Sequence, residues 1–93
     1  MRFSCYDCCI KHLAQACVLN IEVHNGYYMH WPLVVGHLAE AEAEIYISEP
    51  DIAELIREIR KNYMENRDLY IDFIQLFEIV ENAKNKVMGK KGA

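Results

Sequence analysis

The chain has 93 residues, of which 53% are hydrophobic and 26% are charged, and its formal net charge at pH 7 is −4. This length predicts a single domain, and the composition excludes an intrinsically disordered chain, whose hydrophobicity would be too low to offset the entropy of ordering. The negative net charge disfavours a dedicated nucleic-acid binder, because such proteins usually carry a basic face.

Targeting signals and cysteine content indicate the compartment. The sequence has no run of about 18 apolar residues that could span a membrane, and its N-terminus lacks the basic and apolar regions of a signal peptide. We therefore expect a cytoplasmic protein that does not bind a membrane. In a reducing compartment, the four cysteines are explained better by free thiols, metal ligation or redox chemistry than by two disulfides.

The apolar spacing predicts an all-α fold. A first helix should begin near Ser4 or Asp7, which have capping-box-like spacing, and end near His24, where Asn25-Gly26 supplies a left-handed stop. Its expected core stripe is Ile10, Leu13, Ala14, Cys17 and Ile21, widened by Ala16, Leu19 and Val23. A short link then predicts a second, antiparallel helix with Pro32 in its first turn. Its predicted core face is Trp31, Val34, Val35, Leu38 and Ile45.

Two further helices complete the predicted bundle. The third should run from about Pro50 to Tyr63, and the turn Asn66-Arg67-Asp68 should lead into the fourth. The apolar residues of the fourth helix repeat in alternating steps of four and three, namely Leu69, Phe73, Leu76, Val80, Ala83 and Val87. Apolar surface beyond this coiled-coil-like seam suggests that the fourth helix contacts two neighbouring helices or a second subunit, and comprises Tyr70, Ile74, Phe77 and Ile79. The seam itself would serve self-association as a homodimer. We predict a compact bundle of about four helices over residues 1–88 and a disordered basic tail over residues 89–93.

A cysteine and histidine cluster stands at the start of the first helix. Cys5 and Cys8 have the spacing at which two thiolates bind one tetrahedral Zn(II), and His12 lies one turn beyond Cys8. The seven residues from Cys5 to His12 would rise about 10.5 Å in a regular helix, so Cys5 should lie in the turn that precedes the helix. The helix dipole would also favour thiolates at this end.

A closed zinc site needs a fourth ligand, and the antiparallel second helix is the expected source. His37 is our first choice, with His30, Cys9 and Glu40 as the alternatives. The predicted set is therefore Cys5, Cys8, His12 and His37, which would staple the first two helices together. The competing interpretations are that the cysteines are inert core residues, or that a thiol serves in redox or nucleophilic chemistry.

Glu42 suggests a second arrangement, because it falls on the apolar face of the second helix. With His37, Glu40 and Glu22 it could form part of a di-metal centre of the kind found in four-helix bundles. The pattern is incomplete, since such centres use Glu-x-x-His from two helices. A Glu42 that reaches a helix edge or an interface is the favoured explanation.

Charge and aromatic residues indicate a protein partner. No Lys or Arg occurs between Lys11 and Arg57, so the middle of the chain is purely acidic and would suit a basic partner if it is not simply a solvated face. Tyr27, Tyr28 and Trp31 are expected to cap the core, or else to form a binding hot spot beside this acidic region.

The N-terminal half resembles a set of small Cys/His-containing proteins of phages and bacteria that have no assigned reaction. The resemblance covers about residues 5–45 and is carried by Cys5-x2-Cys8-x2-Lys11-His12-Leu13-x2-Ala16, Glu22, Gly26-Tyr27, His30 and Gly36-His37-Leu38-Ala39-Glu40-Ala41-Glu42. It implies that these positions work together as one site, in a phage or mobile-element setting.

These patterns predict a small, zinc-stabilised helical binding protein without catalytic activity. The alternative is a small metal- or thiol-dependent enzyme that uses the Cys/His cluster. A further alternative is a nucleic-acid-associated regulator, supported only by the basic tail and the arginines of the third helix. The sequence does not identify a small-molecule substrate.

Overall fold

A computed structural model describes residues 4–92, and the side chains of residues 4–89. The four helices are α1 (Tyr6–His24), α2 (Trp31–Ile45), α3 (Pro50–Glu65) and α4 (Phe73–Gly92), and a 3-10 turn, Tyr28–His30, precedes α2. No strand occurs among residues 4–92. The predicted all-α bundle of four helices is therefore confirmed. None of its helices, over the same residues, is long and apolar enough to cross a membrane.

Helix α1 begins at a cysteine cap. Cys5 is the N-cap residue, with extended backbone angles, and its Sγ accepts a hydrogen bond from the Cys8 backbone N–H at 3.1 Å. The capping-box-like spacing suggested that Ser4 caps α1, but its Oγ instead accepts a hydrogen bond from the N–H of Ser48. The Cys5 N–H donates to the carbonyl of Glu44 at 2.9 Å. The expectation that Cys5 precedes the regular helix is confirmed, and these bonds tie the start of α1 to the end of α2.

Helix α1 ends at the predicted Asn25-Gly26 stop. Gly26 has a φ of 107°, a left-handed conformation that glycine adopts without steric cost. Its N–H donates to the Val23 carbonyl, and the Tyr27 N–H donates to the Glu22 carbonyl. These two bonds are the Schellman arrangement, which satisfies carbonyl groups that the helix end would otherwise leave unpaired.

Helices α1 and α2 form an antiparallel hairpin, α3 packs on α2, and α4 packs on α1. Side-chain pairs mark these contacts: Arg60 of α3 lies 3.0 Å from Glu42 of α2, and Lys84 of α4 lies 2.8 Å from Asp7 of α1. The buried apolar residues recur every three or four positions, as helical packing requires. They are Cys9, Leu13, Ala16, Val23, Val34, Leu38, Ala41, Ile45, Ala53, Ile56, Tyr63, Ile71, Phe73, Leu76 and Val80.

The buried face of α1 differs from the predicted stripe. Cys9 and Asn20 are buried where Ile10 and Ile21 were expected, whereas Leu13, Ala16 and Val23 are buried as predicted. Ile21 is 56% exposed. The reason is that α1 is apolar on almost every side, so its periodicity does not define a single inward face.

The start of α4 also differs from the prediction. Residues 69–72 are not helical, and α4 begins at Phe73 rather than near Leu69. The side chain of Asp72 accepts a hydrogen bond from the Gln75 N–H at 3.0 Å, which is the bond of an N-cap residue. The local cap thus overrides the apolar spacing that included Leu69.

The side chains of Lys90 onward, and all of Ala93, lie outside the described residues, and the predicted disorder of the tail stays a prediction.

Replacing Leu38 by alanine should destabilise the bundle strongly. Leu38 is fully buried on α2, and a buried Leu→Ala change costs about 2–5 kcal/mol because it leaves a cavity. Leu33→Ala on the same helix is the matched control, since Leu33 is 50% exposed and its loss should change the free energy of unfolding by no more than about 0.5 kcal/mol. Urea denaturation measures both. Equal effects of the two changes would contradict the described packing of α2.

Candidate metal centre

The four predicted ligands all lie along the contact between α1 and α2, but the structure brings them together in two groups rather than one. Cys5 and Cys8 lie with Glu44, and His12 and His37 lie with Glu40. Within each group the candidate ligand atoms are all within 4.8 Å of one another. The separation follows from the rise of α1, which carries His12 about one turn beyond Cys8.

The first group, here called the thiol group, is Cys5, Cys8 and Glu44. The two cysteines are joined as a disulfide in the structure, with their Cα atoms 5.2 Å apart. Glu44 comes from the last turn of α2, and its main chain is hydrogen-bonded to Cys5. All three residues are partly buried. When the disulfide is reduced, two thiols and a carboxylate from facing helices surround the start of α1, where the helix dipole favours anionic sulfur.

The second group, here called the histidine group, is His12, His37 and Glu40. The Nδ1 atoms of the two histidines are 3.1 Å apart, and their ring centroids are 5.3 Å apart. The Nε2 atom of His12 lies 3.1 Å from a carboxylate oxygen of Glu40. The side chain of His12 is 22% exposed and that of Glu40 is 61% exposed. This group is therefore open to solvent on the α2 side.

A shallow cavity of about 260 Å³ lies between members of the two groups. Its lining comprises His12 and Glu40 from the histidine group, Glu44 from the thiol group, and Ala43 between the two acids. Glu44 therefore borders the same cavity as His12 and Glu40, whereas the two sulfur atoms do not line it.

The three residues predicted as alternative fourth ligands, Cys9, His30 and Glu40, lie in different places. Cys9 is fully buried in the core and belongs to neither group. Burial, with a smaller contribution from the charge of Glu44, raises the pKa of the Cys9 thiol to about 12. His30 lies at the opposite end of the hairpin, 3.4 Å from the carboxylate of Glu22. Glu40 is the one alternative that lies beside predicted ligands.

Glu42 reaches the interface with α3, as favoured above. Its carboxylate lies 3.0 Å from Nη1 of Arg60 and 4.0 Å from Nε of Arg57. Its charge is thus compensated by arginine, and it does not join His37 and Glu40. The di-metal set that would also have used Glu22 is not assembled among the described residues.

The predicted aromatic cluster is divided. Trp31 covers the core, stacked on Tyr63 with ring centroids 6.5 Å apart, and the guanidinium of Arg67 lies 5.0 Å from its ring centroid. Tyr27 and Tyr28 are 56% and 61% exposed. Trp31 therefore fills the core-capping role, whereas the two tyrosines are exposed.

Sequence reasoning missed Glu44 as a candidate ligand. The signal was present, because Glu40 and Glu44 are four residues apart and therefore share a face of α2 with His37. What the sequence lacked was the register between α1 and α2, which decides that Glu44 meets the two cysteines and Glu40 meets His12.

Comparison with protein-family models, curated proteins and solved structures finds no match for this chain.

Thiol labelling of the reduced, metal-free protein should separate the cysteines by burial. Cys5 and Cys8 are partly exposed and should react with a maleimide, whereas Cys9 is fully buried and should react only after unfolding. Mass spectrometry of proteolytic peptides identifies the labelled positions, and a sample in urea, in which all the cysteines react, is the control. Equal labelling rates for Cys8 and Cys9 in the native protein would show that the described face of α1 is wrong.

Proposed function

We propose that the chain is a small zinc-stabilised helical binding protein without catalytic activity, in which Zn(II) ties α1 to α2. The observation that carries this proposal is the convergence of thiol, imidazole and carboxylate ligands from two facing helices along one contact. These are ligand types that Zn(II) prefers. A metal at this position would add the tie that a domain of this size gains from a structural ion.

Stability and redox conditions both favour metal over the disulfide as the functional state of the cysteines. Closing a loop of four residues by a disulfide contributes only about 2 kcal/mol in the chain-entropy treatment. Zinc at a thousandfold excess over its dissociation constant would stabilise the folded state by about 4 kcal/mol. In the cytoplasm that we predict for this chain, thiols are also kept reduced. The reduced cysteines would therefore bind zinc when it is available.

Cys5 and Cys8 anchor the proposed ion, and the facing helix completes its coordination. Glu44 is the α2 ligand that already lies beside the two sulfur atoms. His12 and His37, the other members of the predicted set, lie one turn further along the contact. A single ion held by Cys5, Cys8, His12 and His37 stays a prediction, and it requires side-chain movement from the described geometry.

The binding role is supported by apolar side chains left exposed beside this contact. An open groove of about 540 Å³ runs over Ala14, Val18 and Leu19 of α1 and Leu33 of α2, with His37 at its edge. Val18 and Leu33 are at least half exposed. Apolar surface of this kind suits an apolar protein partner, and the acidic middle of the chain would suit basic residues on that partner. The resemblance noted above suggests a phage or mobile-element setting.

A second apolar patch supports self-association. Ile21, Tyr70 and Ile74 are 56%, 83% and 70% exposed, and they surround an open cavity of about 330 Å³ between the end of α1 and the start of α4. Burying such a patch between two copies would remove apolar area from water. We therefore propose the homodimer contact here, at the N-terminal end of α4.

An enzyme is the second candidate, and the cavity beside His12 and Glu40 is the observation that favours it. Metal sites with three protein ligands and an open position can activate water. The nucleic-acid regulator has less support, because Arg57 and Arg60 of α3 are engaged by acidic side chains.

Removing zinc should lower the melting temperature. Protein purified in a phosphine reductant should contain zinc. A strong chelator should then reduce the melting temperature by about 16–32 °C, since zinc at a thousandfold excess over its dissociation constant contributes about 4 kcal/mol and each kcal/mol shifts a domain of this size by about 4–8 °C. Metal analysis by mass spectrometry and a thermal melt followed by circular dichroism test both statements.

The matched variants are Cys5→Ser/Cys8→Ser and Cys17→Ser. The double change should abolish the chelator effect, because it removes both sulfur ligands. Cys17→Ser should retain it, since Cys17 is in neither ligand group. Absence of zinc from the reduced wild-type protein, with a melt that chelator does not alter, would reject the proposal.

Ile74→Glu should weaken self-association without unfolding the bundle. Ile74 is 70% exposed, so the free energy of unfolding should change by no more than about 0.5 kcal/mol. A charge in the proposed dimer contact should shift sedimentation equilibrium toward monomer. Met88→Glu, another exposed apolar position on α4, is the control and should leave the dimer intact. A wild-type protein that is monomeric at high concentration would contradict the proposed contact.

A further inference from the structure

We propose that the histidine group is a second metal site, which holds a divalent transition-metal ion beside the zinc at Cys5 and Cys8. The ligands are the Nδ1 atoms of His12 and His37 and the carboxylate of Glu40. The inference rests on the proposed function, because it takes the thiol group to be occupied by its own zinc ion.

The distance between the two histidines is that of two ligands on one ion. Zn–N bonds of about 2.0–2.1 Å place two nitrogen ligands about 3.3 Å apart at a tetrahedral angle and about 2.9 Å apart at a right angle. The Nδ1 atoms of His12 and His37 are 3.1 Å apart, between these two values. The side chains of α1 and α2 therefore already have the spacing that an ion would impose.

Glu40 sets the protonation pattern that a metal requires. An ionised carboxylate only accepts hydrogen bonds, so the 3.1 Å contact with Glu40 places a proton on Nε2 of His12. Nδ1 of a neutral His12 then carries a lone pair directed at His37. Before the ion binds, Glu40 therefore fixes the tautomer and the ring orientation of His12, as outer-shell carboxylates do for metal-ligating histidines.

The ion would replace the proton that now lies between the two rings. Two lone pairs would repel at 3.1 Å, so one of the two Nδ1 atoms carries a proton, and with the proton of His12 on Nε2 that donor is His37. On metal binding that proton leaves Nδ1 of His37, the ring becomes the tautomer protonated at Nε2, and both Nδ1 lone pairs bind the cation. Glu40 is 61% exposed, so its side chain is free to exchange its hydrogen bond for a direct bond to the ion.

Charge balance allows both ions to be bound together. Two divalent cations carry four positive charges, and the thiolates of Cys5 and Cys8 with the carboxylates of Glu40 and Glu44 carry four negative charges. Glu44 belongs to the thiol group and borders the same cavity as His12 and Glu40. It is therefore placed to screen the repulsion between the two ions.

The two sites should differ in the metals that they take. Thiolates select soft or borderline ions and hold zinc tightly, whereas two imidazoles and a carboxylate suit zinc, iron(II), nickel and cobalt. Three protein ligands leave a coordination position that opens into the cavity of about 260 Å³, so water or an anionic ligand would complete the site. The histidine-group ion should exchange faster than the zinc at the thiol group.

Native mass spectrometry of the reduced protein titrated with Zn(II) tests the inference. Wild-type protein should bind two ions, and His37→Ala should bind one with its tight site retained. Cys5→Ser/Cys8→Ser should also bind one, at the histidine group. His24→Ala is the control, because His24 is exposed and outside both groups, and it should bind two. Glu40→Gln removes an anionic ligand and should weaken the second ion by more than the roughly 10–100-fold that loss of an outer-shell partner costs.

Cobalt(II) provides a second readout that does not depend on stoichiometry. The Cys5→Ser/Cys8→Ser protein should retain a visible cobalt spectrum without the near-ultraviolet band of sulfur-to-cobalt charge transfer, and His37→Ala should retain that band. Circular dichroism verifies that every variant is folded.

A wild-type stoichiometry of one, abolished by either set of changes, would mean that one ion uses both groups. That result would overturn the second site and leave the zinc-stabilised protein standing. A wild-type stoichiometry of one ion that the His37→Ala change leaves unaltered would also overturn the second site. A wild-type protein that binds no zinc would remove both proposals.

Discussion

The antiparallel contact between α1 and α2 is the constraint on which the rest of the structure depends. It contributes half of the core, it supplies the surfaces on which α3 and α4 pack, and it sets every distance in the candidate metal centre. Its register is fixed at one end by the Cys5 N–H, which donates to the carbonyl of Glu44, and at the other end by the Schellman turn at Gly26. Because Cys5 and Glu44 both also offer candidate ligand atoms, the same few residues hold the register and define the thiol group.

This coupling explains why a metal would act on the fold as a whole. An ion bound to Cys5, Cys8 and Glu44 would join the first turn of α1 to the last turn of α2, beside the hydrogen bonds and buried side chains that close the hairpin there. At the opposite end the connection is short and its backbone groups are paired. The proposed zinc therefore lies at the end of the hairpin that no direct connection closes, and the histidine group lies one turn inside it.

Much of the fold could be predicted because its helix ends are local. Asn25-Gly26, Pro32 and Pro50 each terminate or begin a helix through their own backbone preferences, and each does so in the structure. The start of α4 was predicted too early because the apolar spacing continues through Leu69, whereas a cap at Asp72 decides the boundary. The predicted buried face of α1 differs from the observed one because a helix that is apolar on nearly all sides carries no clear periodic signal.

For the candidate site, the sequence predicts the spacing of ligands within one helix but not which residues of two helices meet. Cys8 and His12 are one turn apart whatever the tertiary structure, and the antiparallel hairpin made His37 a reasonable neighbour. The division into two groups and the part of Glu44 depend on the register between helices, which periodicity does not specify.

Anomalous diffraction at the zinc edge, on crystals of the reduced protein grown with zinc, tests the central claim most directly. Our account predicts an anomalous peak between α1 and α2, with two sulfur ligands from Cys5 and Cys8 at about 2.3 Å and a ligand from α2 at about 2.0–2.2 Å. The absence of an anomalous peak between α1 and α2, or zinc bound only by scattered surface carboxylates and water, would contradict our account.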